Sequence, residues 1–272
     1  MPRRGARPLL LALPALVVFS AFWLLPLARL VQVGASGPRG VAAYAAVVTD
    51  PNYFSSLVST IALSAGVTMA TLLISGVAGL FLQRNRFFGK RLLVSLLTFP
   101  LAFPGVVVGF MVIMLAGRQG LIGNVTGVLF GQRLVFAYSM AGLFMGYLYF
   151  SIPRVILTIM AAVEKLDPAL EEAARSLGAG PWRLLRDIVV PGLKPALVAS
   201  GAICFATSMG AFGTAFTLAT NINVLPITIY TEFTNYANFS LAAALSLVLG
   251  LITWAALALA RTLAGSTVAA AA

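Results

Sequence analysis

Six stretches of the chain are apolar for long enough to cross a bilayer: roughly 9–33, 55–82, 92–116, 134–160, 196–220 and 239–263. A hydrocarbon core needs about 20 apolar residues in helical form. The run from Leu241 to Leu259 is continuously apolar, whereas a transmembrane β-barrel would show segments of about 10 residues alternating in polarity. Backbone N–H and C=O groups find no water in lipid, so helices are predicted for all six. The first stretch follows Arg3, Arg4 and Arg7 and runs from Leu9 to Val33. That is longer than the apolar core of a signal peptide, about 7–15 residues, and an uncleaved first helix is expected. Prolines 14, 26, 100, 104 and 153 fall inside or beside these stretches. Each removes a donor and invites a kink. Pro14 and Pro26 read as ordinary kinks; Pro100 and Pro104 leave open a helix broken near its cytoplasmic third, beside a pathway.

Composition agrees with this reading. Of 272 residues, 60% are hydrophobic and 9% charged, with a mean hydropathy of +1.00. A soluble domain carries about 25% charged residues, and no single soluble core of this length would hide so much apolar surface. The expectation is an all-α polytopic membrane protein, one transmembrane domain over 1–272 with six helices. There is no His and one cysteine, Cys204, so a His-ligated metal site and an internal disulfide are excluded, and no metal site is expected. The net charge of +11 would suggest nucleic acid in a soluble protein; here it records orientation. Fourteen basic residues fall on one side, from the N-terminal tail through Arg84, Arg86, Lys90, Arg91, Arg154 and the fourth connection to Arg261; Arg29, Arg39, Arg118 and Arg133 fall on the other. Basic loops stay inside, which predicts an inner-membrane protein with both termini cytoplasmic and no nucleic-acid partner.

One segment does not belong in lipid. Residues 161–195 hold five of the seven acids (Glu164, Asp167, Glu171, Glu172, Asp187) and five basic residues. Asp167 suits an N-cap and Pro168 the first helical position. Leu170, Ala173, Ala174 and Leu177 follow at helical spacing on one stripe, with Glu172 off it. Gly178 is placed to end that helix in the left-handed conformation. Pro181 opens a second helix with a stripe of Trp182, Leu185 and Val189, and Pro191 and Pro195 are expected to stop it before the fifth span. A hairpin resting on headgroups should carry a basic polar face. The first helix here is acid-rich, and its small residues permit close approach of a protein partner.

Glu172-Ala173-Ala174, three residues, Gly178, nine residues, then Ile188-Val189-Val190-Pro191 resembles the EAA loop that marks the membrane subunits of binding-protein-dependent ABC importers. Val190 stands where the family usually has Leu. Pro153, Leu166-Asp167, Leu170 and Leu177-Gly178-Ala179 fit the same pattern, and the resemblance runs from about 55 to 260. Phe99-Pro100-Leu101-Ala102-Phe103-Pro104-Gly105 and Arg118-Gln119-Gly120-Leu121 resemble the spermidine/putrescine permease group, with phosphonate, sulfate and ferric iron permeases close by; this does not fix the substrate. The resemblance implies a type I importer fold, a second permease subunit, identical or different, two cytoplasmic ATPase subunits and an extracytoplasmic solute-binding protein. It also implies that Glu172, Ala173, Ala174, Gly178, Trp182, Ile188 and Pro191 couple the permease to the ATPase. The chain has no GxxxxGK[ST] loop; Gly89-Lys90 is followed by Arg91. The chain is therefore not expected to be an enzyme or to bind a cofactor, and ATP and Mg²⁺ would be used by the partner.

The pathway is less legible. Ser208, Gly210, Phe212 and Thr214 belong to a small and polar cluster in the fifth span, which either lines a route or permits tight helix packing. No acid lies within any predicted span. Either selectivity resides in the binding protein, or the cargo is not strongly cationic. Asn221 to Asn238 reads as a solvated outer loop, or as part of a binding-protein contact or a gate, with Glu232, its one acid, placed to attract a cation near the entrance. A self-contained secondary transporter or channel is the competing class. It would call for intramembrane ionisable residues and usually for internal repeats.

Overall fold

The computed structural model describes residues 6–218 and 222–264; Arg3, Arg4 and Asn221 lie outside them. All regular structure among the described residues is helical, and six helices are long and apolar enough to cross a membrane. The first, α1 (Leu11–Ala35), exposes every residue from Leu11 to Arg29. It widens to a π turn at Ser20–Leu24, immediately before Pro26. Proline has no N–H, and its ring crowds the carbonyl four residues back; the wider turn makes room.

The second, α2 (Pro51–Arg84), starts at Asp50, whose carboxylate accepts from the Asn52 N–H at 3.0 Å. Its buried face mixes small and polar residues (Ser56, Thr60, Ser64, Thr71, Ser75 and Gly79, mostly four apart) with Leu57, Leu63, Val67 and Leu82. Other large side chains, such as Met69, Leu73 and Val77, are exposed. Lipid is as apolar as leucine, so burial here follows close packing, which favours small residues. A Cβ on Gly79 would sit 2.9 Å from Ile159 Cγ2.

The third apolar stretch, expected as one helix over 92–116, is divided. A short helix α3 (Lys90–Thr98) gives way to a 3₁₀ turn at Phe99–Ala102, and α4 (Gly105–Ala116) begins only after Pro104 in extended conformation. Pro100 and Pro104 each lack a donor, and here the chain tightens into the 3₁₀ turn and then turns extended at Pro104 instead of widening, so the helix does not run through. A second segment, α5 (Leu121–Phe130), follows, and α4 and α5 together, Gly105–Phe130, make up the third of the six spans. The fourth helix, α6 (Met140–Glu164), starts later than its apolar run, because Phe136 and Ala137 both donate to Ala116 O at 3.1 Å and Ser139 then caps.

Two connections also differ from expectation. After α7 (Pro168–Ser176), a single helix α8 runs over Pro181–Met209. Pro191 and Pro195 do not stop it. A π turn at Leu185–Val189 absorbs Pro191, as one does before Pro26, and the second hairpin helix is continuous with the fifth span. The chain breaks instead at Gly210 and resumes as α9 (Phe212–Leu218). Residues 222–238 are not a solvated loop. They carry α10 (Leu225–Thr234), whose Leu225 N–H donates to Thr60 Oγ1 at 2.8 Å. Glu232 is buried, accepting from Tyr53 Oη at 2.8 Å and Asn238 Nδ2 at 3.1 Å, so it fastens α10 to the start of α2 rather than attracting a cation. Last comes α11 (Phe239–Ala264). The main core, with Val67, Leu143, Tyr147, Ile159 and Cys204, lies where α2, α6 and α8 meet.

Candidate coupling hairpin and translocation cavity

The hairpin forms from local chemistry. Asp167 Oδ1 accepts from the Ala169 N–H at 2.9 Å, and Pro168 occupies the first turn. Gly178 has φ +81°, where a side chain is strained. Around it, Gly178 N–H donates to Arg175 O at 2.9 Å and Ala179 N–H to Ala174 O at 3.0 Å, the paired bonds of a Schellman cap. Glu171 is half-buried between Arg84 at the end of α2 and Arg175 one turn on, the latter at 3.4 Å. That contact brings the hairpin and the first basic connection to one end of the bundle.

The residues expected to meet an ATPase fall into two groups. Glu172, Ala173 and Trp182 are exposed, with Ala174 half-buried. The apolar stripe beside them is bare, with Leu170 at 59%, Leu177 at 88% and Trp182 at 71% exposure. Trp182 therefore does not join the buried stripe of the second helix, which is Leu184 and Val189 with Leu185 and Ile188 half-buried; Pro191 is exposed on the outer side of that helix. Nothing among the described residues covers this face, so a small, apolar and acid-edged surface is presented outward.

The small-residue cluster separates into different environments. Thr214 is 1% exposed, and its Oγ1 donates to Gly105 O at 2.9 Å. Ser208 is also buried, and its hydroxyl has no partner among the described residues. Gly210 is exposed at the helix break, and Phe212 stacks on Phe216 with centroids 5.2 Å apart. Gly210 and Phe212 border an apolar groove of about 720 Å³ shared with α1, α10 and α11. Thr214 borders a different cavity of about 270 Å³, between the start of α4 and the break after α8. The four are thus not brought to one site.

The smaller cavity is framed by the two interruptions that hydropathy obscured. Pro100, Phe103 and Gly105 line it from the break before α4, and Thr207, Ala211 and Gly213 from the break after α8. Tyr147 Oη, from α6, donates to Ala211 O at 2.5 Å, a side-chain bond from another helix to the backbone at the break. The glycines are there for proximity: a Cβ on Gly146 would lie 2.7 Å from Thr214 Cγ2, and one on Gly109 2.6 Å from Thr217 Cβ. Arg154 also lines this cavity. From the sequence it counts only as a mark of orientation. The signal that would have found it is a lone charge well inside an apolar run.

Residues 72–265 match the family described as binding-protein-dependent transport system inner membrane component. The molybdenum transport system permease protein ModB of Escherichia coli (strain K12) is 35% identical over 74% of this chain and 89% of its own length. The putative 2-aminoethylphosphonate transport system permease protein PhnU of Salmonella typhimurium is 29% identical, over 96% of each chain. Sulfate permease 2, chloroplastic, of Chlamydomonas reinhardtii is 29% identical over 76% of this chain and 58% of its own. Among solved structures, a bacterial alginate ABC transporter in complex with an alginate pentasaccharide-bound periplasmic protein superimposes with a TM-score of 0.82, covering 96% of this chain and 95% of the matched one. At 16% identity that likeness speaks for the fold alone. Six spanning helices, the EAA-type hairpin and these matches converge: the chain belongs to the inner-membrane components of binding-protein-dependent transport systems and is the permease subunit of an ABC importer.

Proposed function

We propose that this permease imports a small oxyanion, handed over by an extracytoplasmic binding protein and driven by two ATPase subunits docked on the 161–195 hairpin. A second permease subunit completes the pathway, and both termini lie in the cytoplasm. The bare face of the hairpin carries the coupling part of this reading. Leu170, Leu177 and Trp182 are exposed beside Glu172 on a rigid, capped element, and an exposed apolar patch in water marks an interaction site. Arg84 and Glu171 tie that element to the end of α2, so a push on it reaches the bundle. For the cargo, the relatives named for molybdenum, 2-aminoethylphosphonate and sulfate point to tetrahedral oxyanions. The spermidine/putrescine reading draws no support from them; the phosphonate and sulfate alternatives do.

The test is uptake by the complete transporter in proteoliposomes, with ATP inside and the cognate binding protein outside. Molybdate, sulfate and 2-aminoethylphosphonate are offered against spermidine. ATP-dependent accumulation of one of the three oxyanions, lost when binding protein is omitted, is expected. Accumulation of spermidine alone would refute the cargo assignment, and accumulation without ATPase would refute the coupling.

A further inference from the structure

We propose that Arg154 is the cationic contact an oxyanion meets inside the membrane, at the cavity between the breaks flanking α4 and α8. The inference rests on the oxyanion reading above and adds the residue that makes the pathway selective for sign.

Its position is the first argument. Helix α6 runs over the 25 residues Met140–Glu164, and Arg154 lies two residues beyond its midpoint at Ile152. Arg154 is exposed to the bundle's surroundings, and six residues, about 9 Å at about 1.5 Å per residue, separate it from residue 160, where the predicted span ends. A basic residue that merely marks the cytoplasmic side sits at a helix end, where its side chain reaches the headgroups. A charge this deep in a spanning helix faces protein or a water-filled cavity and marks a substrate or ion route.

Its surroundings are the second. The guanidinium makes no hydrogen bond or ion pair among the described residues. The ion pairs found there, Arg84–Glu171, Arg175–Glu171 and Arg186–Asp187, all involve the hairpin. None of the seven acids lines the cavity, where Arg154 is the one charged side chain. The hydroxyls of Thr207 and Thr214 already donate to Ile203 O and Gly105 O. What remains for a ligand is a five-donor cation with planar geometry suited to two oxygens of a sulfate-, molybdate- or phosphonate-like group. The first turn of α4 borders the same cavity, and the positive end of its dipole has the same sign preference. A cation such as a polyamine would be repelled.

The experiment uses the whole transporter in proteoliposomes, with whichever of molybdate, sulfate and 2-aminoethylphosphonate the cognate binding protein retains. Arg154→Gln is expected to lower uptake at least tenfold, Arg154→Glu to abolish it, and Arg154→Lys to keep most of it. Affinity of the binding protein for the oxyanion, and ATP hydrolysis stimulated by it, should stay within twofold of wild type. Wild-type uptake by Arg154→Gln would overturn the proposal. So would equal loss in Arg154→Lys and Arg154→Gln together with lost ATP hydrolysis, which marks a structural role. If the loss appears only in vesicles containing phosphatidylglycerol, the partner is a lipid headgroup and the proposal fails. A binding protein that retains none of the three oxyanions removes the cargo reading itself, a separate outcome.

Discussion

The 161–195 hairpin and the helix breaks around the cavity are both irregular backbone, yet they are built by opposite means. The hairpin is made from neighbours in sequence. Its caps come from Asp167 and Gly178, its bonds span a few residues, and most of its side chains face outward. The cavity is made from residues far apart, with Tyr147 on Ala211, Thr214 on Gly105 and Gly146 against Thr214. A broken helix in a membrane leaves carbonyls without partners, and these must be met from other helices. The hairpin's turn and first helix are therefore shaped locally, whereas the cavity's shape is tied to the packing of three helices. A substitution in the hairpin should change coupling and spare the fold; one at the breaks should do the reverse.

The largest expected effect breaks the second region. Gly146→Leu places a Cβ 2.7 Å from Thr214 Cγ2 and 3.5 Å from Val112 Cγ2, with no flexible end to yield. Overpacking of this kind costs about 1–3 kcal/mol, occasionally more, and here it also pushes against the Thr214–Gly105 bond. The detergent-solubilised permease should lose thermal stability and yield. A wild-type melting profile would mean the helices are not locked together there.

The counterpart in the hairpin is Gly178→Val. A β-branched residue at φ +81° is strained by about 1–3 kcal/mol, but nothing lies within 4 Å of the added Cβ. Membrane abundance and melting should be unchanged while uptake collapses. Gly178→Asn, which tolerates the left-handed region, should retain most activity. Full uptake by the valine variant would show that the turn does not transmit force.

The same contrast explains what was legible beforehand. Asp167-Pro168 and Gly178 announce a capped helix because capping is local, and the Schellman bonds are found where glycine predicts them. Hydropathy locates six spans for the same reason, since each needs only its own composition. Pro191 misleads because a breaker rule assumes a helix of fixed pitch, and a π turn at Leu185–Val189 widens just enough to carry the chain through. The division at Phe99–Pro104 is signalled by its prolines, but the break at Gly210 is not, since Tyr147 stabilises it from another helix. On α2, Ser56, Thr60, Ser64 and Thr71 look like polar interruptions of an apolar run; only packing shows that they belong to the buried face. Arg154 is visible as a charge, but its meaning depends on which cavity its neighbours leave open.

Two adjacent acids sharpen the comparison within the hairpin itself. Glu172 is exposed and its carboxylate has no partner among the described residues, while Glu171 beside it is engaged by two arginines. If Glu172 contacts the ATPase, a charged hydrogen bond of about 1.5–3 kcal/mol is lost on Glu172→Ala. Association should then weaken about tenfold or more in a pull-down titration, with the isolated permease unaltered. Undiminished co-purification under stringent washing would remove the residue from the interface.

Glu171→Ala should have the smallest effect, and of a different kind. Its side chain is 12% exposed and that of Arg84 33%, so solvent screens the pair and its worth is about 1 kcal/mol or less. What it fixes is the angle at which the hairpin leaves the bundle. Loss of about 1 kcal/mol raises the population of an undocked hairpin about fivefold. Proteolysis that waits on local opening reports that population directly. Chymotrypsin, directed at Leu177 and Trp182, avoids the tryptic sites that the substitution itself perturbs. Cleavage of the isolated permease should quicken about fivefold or less in Glu171→Ala and in Arg84→Ala, and not at all in Glu172→Ala. The double variant Glu171→Ala/Arg84→Ala should be no faster than either single one, because a shared interaction can be removed only once. Additive acceleration would mean the two side chains act separately, and the hairpin would then be held to the bundle only through the continuous helix that follows it.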